Sequence, residues 1–296
     1  MELMVGFEFE FGWKPTIANT AFAKKTKKSR YFETVIYSEV KNSLNSFLES
    51  YYQHILDIKE DVTIKFSKNY WEQHYGAEVV TEPLPQKKAI LILEKILSWL
   101  QTNPSIKTNK TCSLHVNISF FDRNITESID YLSLLKNTPT DLILAKFKRS
   151  NNVYCKSAFK KKFLIEHNMR VSKERTYDYW KNKINEANQL SFLTTNISFG
   201  SFRYNPTLEK HLEKIQFNSK QEGIQYIEDT FKVWISKTDK NISVVEKINP
   251  AGVKYFEFRM IGNSNYQYKK NDIHETINYY LNSMRICAKN INDNHF

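Results

Sequence analysis

The sequence predicts an α+β fold, and three observations carry that prediction. Short segments alternate strictly between apolar and polar residues. Longer segments with apolar residues at three- and four-residue steps separate them irregularly. The alternating segments are half polar, as in antiparallel strands with one face on the core; parallel strands buried on both faces lack this pattern. The chain of 296 residues is long enough for one sizeable core without disulfide staples. Only seven glycines and seven prolines occur, no linker divides the chain and no repeat is visible, so one domain over 1–296 is expected. A mainly helical and loop insertion is expected around 122–190.

The elements follow in order. Gly6-Phe-Glu-Phe-Glu-Phe11 reads as a strand with phenylalanines on one side and Glu8 and Glu10 on the other. A basic run, Lys24 to Arg30, comes next. Residues 41–58 read as a helix through Leu44, Phe47, Leu48, Tyr51 and Ile55. Val62–Phe66 and Glu78–Glu82 read as strands, the second stopped by Pro83 and Pro85. An apolar helix is expected over 86–101 and a strand over Ser113–Phe120. Residues 126–148 read as helical with a break at Pro139. Residues 146–162 read as a basic loop, 172–189 and 220–236 as helices, and Ser191–Phe199 as a strand. A strand over Val253–Met260 and a last helix from about Asp272 complete the chain.

Hydrophobic residues at 41% and charged residues at 25% exclude a disordered chain. The longest apolar run ends at Glu94, far short of the ~18 residues a membrane span needs, so no membrane partner is expected. The N-terminus carries Glu2, Glu8 and Glu10 and lacks the basic region of a signal peptide. Cys112, Cys155 and Cys287 form no C-x-x-C pair, which excludes a zinc ribbon or thioredoxin motif. Unpaired thiols in odd number suit a reducing compartment, and a cytoplasmic location is expected. Lysine and arginine outnumber acidic residues 43 to 32, a net charge of +11 that favours an anionic partner.

Four strand segments carry polar faces of unusual chemistry. Glu8 and Glu10 share a face, as do Glu78 and Glu82, His115 and Asn117, and Glu257 and Arg259. Each pair alone has an ordinary explanation: a solvated edge, a satisfied histidine or a cross-strand ion pair. Together they would line one acidic wall whose repulsion divalent cations relieve. Carboxylates with one histidine and one arginine suit Mg²⁺ or Mn²⁺ plus a phosphorylated ligand. Two other readings remain open on the residues alone. The net charge, Lys24–Arg30, Lys160–Lys162 and abundant aromatics fit a non-catalytic nucleic-acid-binding protein. An acidic cluster with lysines also fits a metal-dependent nuclease.

The order and spelling of the segments narrow the choice. Gly6–Phe11, then Gly76-Ala-Glu-Val-Val-Thr-Glu-Pro-Leu84, then Ser113-Leu-His-Val-Asn117, then Tyr255-Phe-Glu-Phe-Arg259 resemble the amidoligase family. That family sits among the glutamine-synthetase-like carboxylate–amine ligases, with glutamate–cysteine ligase. Arg149-Ser-Asn-Asn-Val-Tyr-Cys155 and the strand around Asn196 are similar to two further family elements.

The resemblance implies a glutamine-synthetase-like catalytic fold: a curved, mostly antiparallel sheet lined with carboxylates and backed by helices. It implies an ATP-dependent, Mg²⁺-dependent ligase that joins a carboxylate substrate to an amine substrate through an acyl phosphate. Carried over, Glu8, Glu10, Glu78, His115 and Glu257 are metal ligands. His115, Asn117 and Arg259 lie on the ATP side, Arg259 binds the transferring phosphate, and Arg149 holds another phosphate. Two departures stand out. The family's D-G-S segment has no match in Phe66–Trp71, which leaves one acidic ligand to be supplied, with Glu72 a candidate. The usual H-V-H reads His-Val-Asn here. The positive charge also admits an anionic or nucleotide-linked substrate, such as a phage-encoded enzyme would meet.

Overall fold

A computed structural model describes residues 1–16, 35–66, 74–152, 155 and 242–293. The Lys24–Arg30 run, Lys160–Lys162, Glu72, Asn196 and the elements expected between 172 and 236 lie outside the described residues. The chain divides into two compact units, one of Met1–Asn152 with Val244–Phe296 and one of Val153–Ser243. The elements below belong to the first unit.

Its strands are β1 (Leu3–Trp13), β2 (Ile55–Glu60), β3 (Tyr75–Thr81), β4 (Leu84–Pro85), β5 (Ile106–Lys107), β6 (Ser113–Phe120), β7 (Val244–Ile248) and β8 (Lys254–Gly262). All pair antiparallel in one sheet of order β2-β3-β1-β6-β8-β7, with the short β4 and β5 also on β1. The mixture of helices and antiparallel sheet is the α+β class that the alternation predicts. Among the described residues six α-helices accompany the sheet: α1 (Tyr37–Leu48), α2 (Gln86–Thr102), α3 (Arg123–Ser128), α4 (Tyr131–Asn137), α5 (Thr140–Lys146) and α6 (Lys270–Asp293).

One face of the sheet is core. Phe7, Phe9 and Phe11 of β1, Val79 of β3, Leu114, Val116 and Ile118 of β6, and Phe256 and Phe258 of β8 are all fully buried. Helices α2 and α6 supply the covering layer. Trp99 of α2 meets Phe11 edge-on at 5.4 Å and stacks on Trp13 at 6.2 Å. Tyr280 of α6 stacks on Phe258 at 4.3 Å. Each such side chain contributes about 1.5–3 kcal/mol by leaving water. Burial on this face therefore fixes the strand register and so turns every alternate residue to the opposite face.

Three sequence expectations change. The helix expected over 41–58 ends at Leu48; a 3₁₀ turn over Glu49–His54 follows, and Ile55–Glu60 becomes the edge strand β2. Glu49 at φ 51° stops the helix, and pairing with β3 gives residues 55–60 more backbone partners than a lone helical turn would. Val62–Phe66 is not a strand: Asp61 Oδ1 accepts hydrogen bonds from Thr63 N and Thr63 Oγ1, which closes a turn. The helix expected over 126–148 is three short ones. Asp122 and Asp130 start α3 and α4 by accepting from Asn124 N and Ser133 N, and Pro139 starts α5.

Arg149 belongs to this scaffold. It is 2% exposed, and its Nη1 donates to Ile261 O at 2.9 Å and Cys112 O at 3.3 Å. A Cβ on Gly262 would fall 1.7 Å from Nη1, so only glycine admits the guanidinium here. These bonds tie the start of β6 to the end of β8. The phosphate role expected of Arg149 stands beside this one: Nη1 bonds backbone carbonyls, while Nε is buried without a hydrogen-bond partner. Arg149→Met is expected to lower stability by about 2–3 kcal/mol through the lost charged hydrogen bonds. Urea unfolding measures this. Unchanged stability with weakened nucleotide binding would assign Arg149 to the phosphate alone.

Candidate metal and phosphate site

The face opposite the core gathers the polar residues of β1, β3, β6 and β8. Register sets Glu10 against Glu78, Glu8 against His115, and Asn117 against Glu257. Directly opposed residues on one face stand close enough for their side chains to touch. Glu8, Glu10, Glu78, His115, Asn117, Glu257 and Arg259 thus meet on one wall, although they span most of the sequence.

His115 is the hub. Its Nδ1 lies 3.0 Å from Glu8 Oε2 and 3.8 Å from Glu257 Oε1, and its Nε2 lies 3.3 Å from Glu10 Oε1 and 2.9 Å from Ser113 Oγ. Ser113 donates to Glu10 Oε2 through its backbone N at 2.8 Å and also through its hydroxyl. Asn117 Nδ2 donates to Glu8 Oε1 at 2.8 Å. Arg259 Nε donates to Glu257 Oε1.

Two lysines that sequence reasoning did not single out complete the wall. Lys59 Nζ of β2 lies 3.1 Å from Glu78 Oε1. Lys247 of β7 reaches diagonally to Glu257 Oε2.

The charges shift each other. Burial would lower His115, but Glu10, Glu8 and Glu257 outweigh it and hold the imidazole up at about 9. Burial raises Glu78 to about 7, helped by the charge of Glu8 and opposed by Lys59. Burial raises Glu10 against the pull of His115 and Ser113. Glu8 is the reverse: burial would raise it, but the hydrogen bond and charge of His115, with Asn117 and Lys247, hold it well below the usual carboxylate range.

The linkage has a definite sign. His115 has its folded value above the 6.5 of the free group, so its contribution is complete below that pH and is lost through about 9. Glu78 is raised from 4.5 to about 7, so its contribution is also lost as pH rises, through about 7. Glu8, lowered, contributes above 4.5 and loses that only in acid. Metal-free protein is therefore expected to melt a few degrees lower at pH 9 than at pH 5.5. A melting temperature that is flat or rising over that range in EDTA would contradict it.

Two groups of donors stand ready for cations. Oxygen or nitrogen atoms of Glu8, His115 and Glu257 all lie within 4.8 Å of one another, as do carboxylate oxygens of Glu10, Asp61 and Glu78. Asn117 Oδ1 is buried without a hydrogen-bond partner. Glu78 Oε1 and Glu257 Oε2 are buried, each facing one lysine. Oxygen-rich groups with one imidazole fit Mg²⁺ or Mn²⁺.

Asp61 brings an acidic side chain to the Glu10 and Glu78 carboxylates that the sequence motifs do not mark. It follows β2 directly, and its N–H donates to Gly76 O at 3.1 Å. A Cβ on Gly76 would fall 2.2 Å from Asp61 O, so the glycine of the Gly76-Ala-Glu78 segment marks where this turn crosses β3. That glycine is the sequence signal for it. Asp61→Asn keeps the oxygen that Thr63 binds and removes the charge. It is expected to weaken Mn²⁺ binding at one of two sites by about tenfold or more. Calorimetry showing two unaltered sites would remove Asp61 from the donors.

Glu82 lies apart from these groups. Its carboxylate pairs with the buried ring of His54, and its N–H donates to His54 O at 3.0 Å.

The sequence model of the family described as "putative amidoligase enzyme" matches residues 1–212. The chain belongs to that family. The match contains Glu8, Glu10, Asp61, Glu78 and His115, while Glu257 and Arg259 lie beyond it. The family name supports a ligase-type enzyme. No curated protein matches this amidoligase. Among its described residues no helix is long and apolar enough to cross a membrane.

Proposed function

We propose that this amidoligase joins a carboxylate to an amine using ATP, through an acyl phosphate. The observation that carries the reading is the pair of donor groups on one sheet face, with the Arg259 guanidinium bonded to a carboxylate of one of them. Glu8, His115 and Glu257 would hold one ion, and Glu10, Asp61 and Glu78 another. Bound Mg²⁺ or Mn²⁺ supplies charge neutralisation at phosphate and carboxylate oxygens.

The chain's own residues do the remainder. A carboxylate oxygen attacks the γ-phosphorus, the bond to the bridging oxygen breaks and ADP leaves. Phosphoryl transfer asks for positioning and electrostatics more than for covalent help. Arg259 offers a planar fork of donors to the phosphoryl oxygens. Asn117 Oδ1 offers an acceptor, and Asn117 Nδ2 keeps Glu8 oriented. To serve as a ligand, His115 would have to give up its proton, so ion binding would release protons. The amine then attacks the acyl carbon, expels phosphate and loses a proton.

The test is a screen with ATP and Mg²⁺ against amino acids, polyamines and modified nucleosides. Acyl phosphate is trapped with hydroxylamine and ADP is measured. The expected result is hydroxamate formation that requires ATP, Mg²⁺ and one carboxylate class. Metal-dependent nucleic-acid cleavage without any ATP turnover would replace the ligase reading by the nuclease one.

A further inference from the structure

We propose that Lys59 and Lys247 are resident counter-cations of the two donor groups, displaced when divalent ions bind and then free to grip an anionic ligand. The inference rests on the metal sites of the ligase reading and goes beyond it to residues that reading does not use.

Each donor group carries one lysine. Lys59 pairs with Glu78 of the Glu10, Asp61 and Glu78 group, and Lys247 with Glu257 of the Glu8, His115 and Glu257 group. The two reach in from opposite ends of the sheet, because β2 and β7 are its terminal strands. Their side chains are 48% and 33% exposed, whereas the carboxylates they meet are 9% and 0% exposed. A lysine stem here leads out to solvent and can retract along the same path.

The contacts also differ in kind from the rest of the wall. Ser113, Asn117 and Arg259 hold their carboxylates by directed hydrogen bonds. Lys59 and Lys247 reach theirs from solvent with a flexible ammonium, and the oxygens they face, Glu78 Oε1 and Glu257 Oε2, are buried. An ion at the ~2.0–2.1 Å of a Mg²⁺–oxygen bond would satisfy them better. It would also repel an ammonium sharing the same oxygen. The lysine leaves, and its ammonium then stands beside the ion, facing whatever anion the ion binds. Phosphate and carboxylate share that chemistry.

The test uses wild-type protein, with Mn²⁺ as the probe. Acylation of Lys59 and Lys247 is followed by mass spectrometry with and without Mn²⁺, against the exposed Lys87 and Lys88 of α2 as internal standard. Reactivity at both lysines is expected to rise several-fold on loading. Unchanged or reduced reactivity, with Mn²⁺ bound, overturns this inference and leaves the ligase reading intact. Absence of Mn²⁺ binding overturns both.

Lys59→Met and Lys247→Met, loaded with Mn²⁺, are then titrated with tripolyphosphate and with succinate. Affinity for one of the two is expected to fall about tenfold per lysine. A fall for tripolyphosphate assigns the lysines to phosphate, and a fall for succinate assigns them to the carboxylate. No fall for either overturns the anion-gripping role.

Discussion

Arg259→Lys is expected to fold, to bind Mg²⁺ and nucleotide, and to lose about 10³-fold in acyl-phosphate formation. The argument separates two roles for the arginine. Its bond to Glu257 is an ion pair with a fully buried carboxylate, and lysine can maintain that charge. What lysine lacks is the planar fork that contacts two oxygens at once. If Arg259 only neutralised Glu257, the substitution would change turnover by a few-fold. If it stabilises the phosphoryl group in flight, the loss falls on kcat, with KM for nucleotide nearly constant. Amine-independent hydroxamate formation reads that step alone. A rate within a few-fold of wild type would make Arg259 a partner of Glu257 and no more.

The double change Glu8→Gln and Glu10→Gln is expected to weaken Mn²⁺ binding by ~100-fold or more, because it removes one charged ligand from each donor group. Crowded carboxylates would suggest that the change also stabilises metal-free protein by relieving repulsion. The structure argues for the opposite. His115, Ser113 and Asn117 already hold these two carboxylates, so glutamine would leave the His115 charge without its two nearest carboxylates. The metal-free variant is expected to melt lower than wild type, most clearly below pH 6.5, where His115 is charged in both states. Melting above wild type there, or two intact Mn²⁺ sites, would refute the arrangement.

Much of the wall was legible because alternation is a local signal. Glu8 and Glu10 face one way because Phe7, Phe9 and Phe11 must face the other, and the same logic places His115 with Asn117 and Glu257 with Arg259. The residues that escaped notice sit where tertiary pairing overrides local periodicity. Lys59 lay beside a stretch read as helix, because Leu44, Phe47, Leu48, Tyr51 and Ile55 keep a helical period. Only the ladder with β3 makes 55–60 a strand. Asp61 escaped because a turn has no period, and its place shows only in the close crossing at Gly76. Lys247 escaped because β7 is a five-residue edge strand, defined by its pairing with β8 more than by its own sequence. Arg149 was legible as a motif residue, but its burial among backbone carbonyls was not.

The place of β8 in the chain has a consequence for biosynthesis. β1 and β6 are both encoded before residue 121, but the other neighbour of β6, β8, is encoded after residues 153–243. At 5–20 residues per second, the ribosome needs roughly 5–20 s to cross that interval. Until β8 is available, β6 lacks its partner on one edge, and an unpaired strand edge is a template for unwanted pairing. Glu257 and Arg259 emerge only afterwards. Until then the polypeptide holds Glu8, Glu10, Asp61, Glu78 and His115 without them, so the wall closes only once β8 has been made, and a product truncated before β8 would carry most of the carboxylates without Arg259 beside them.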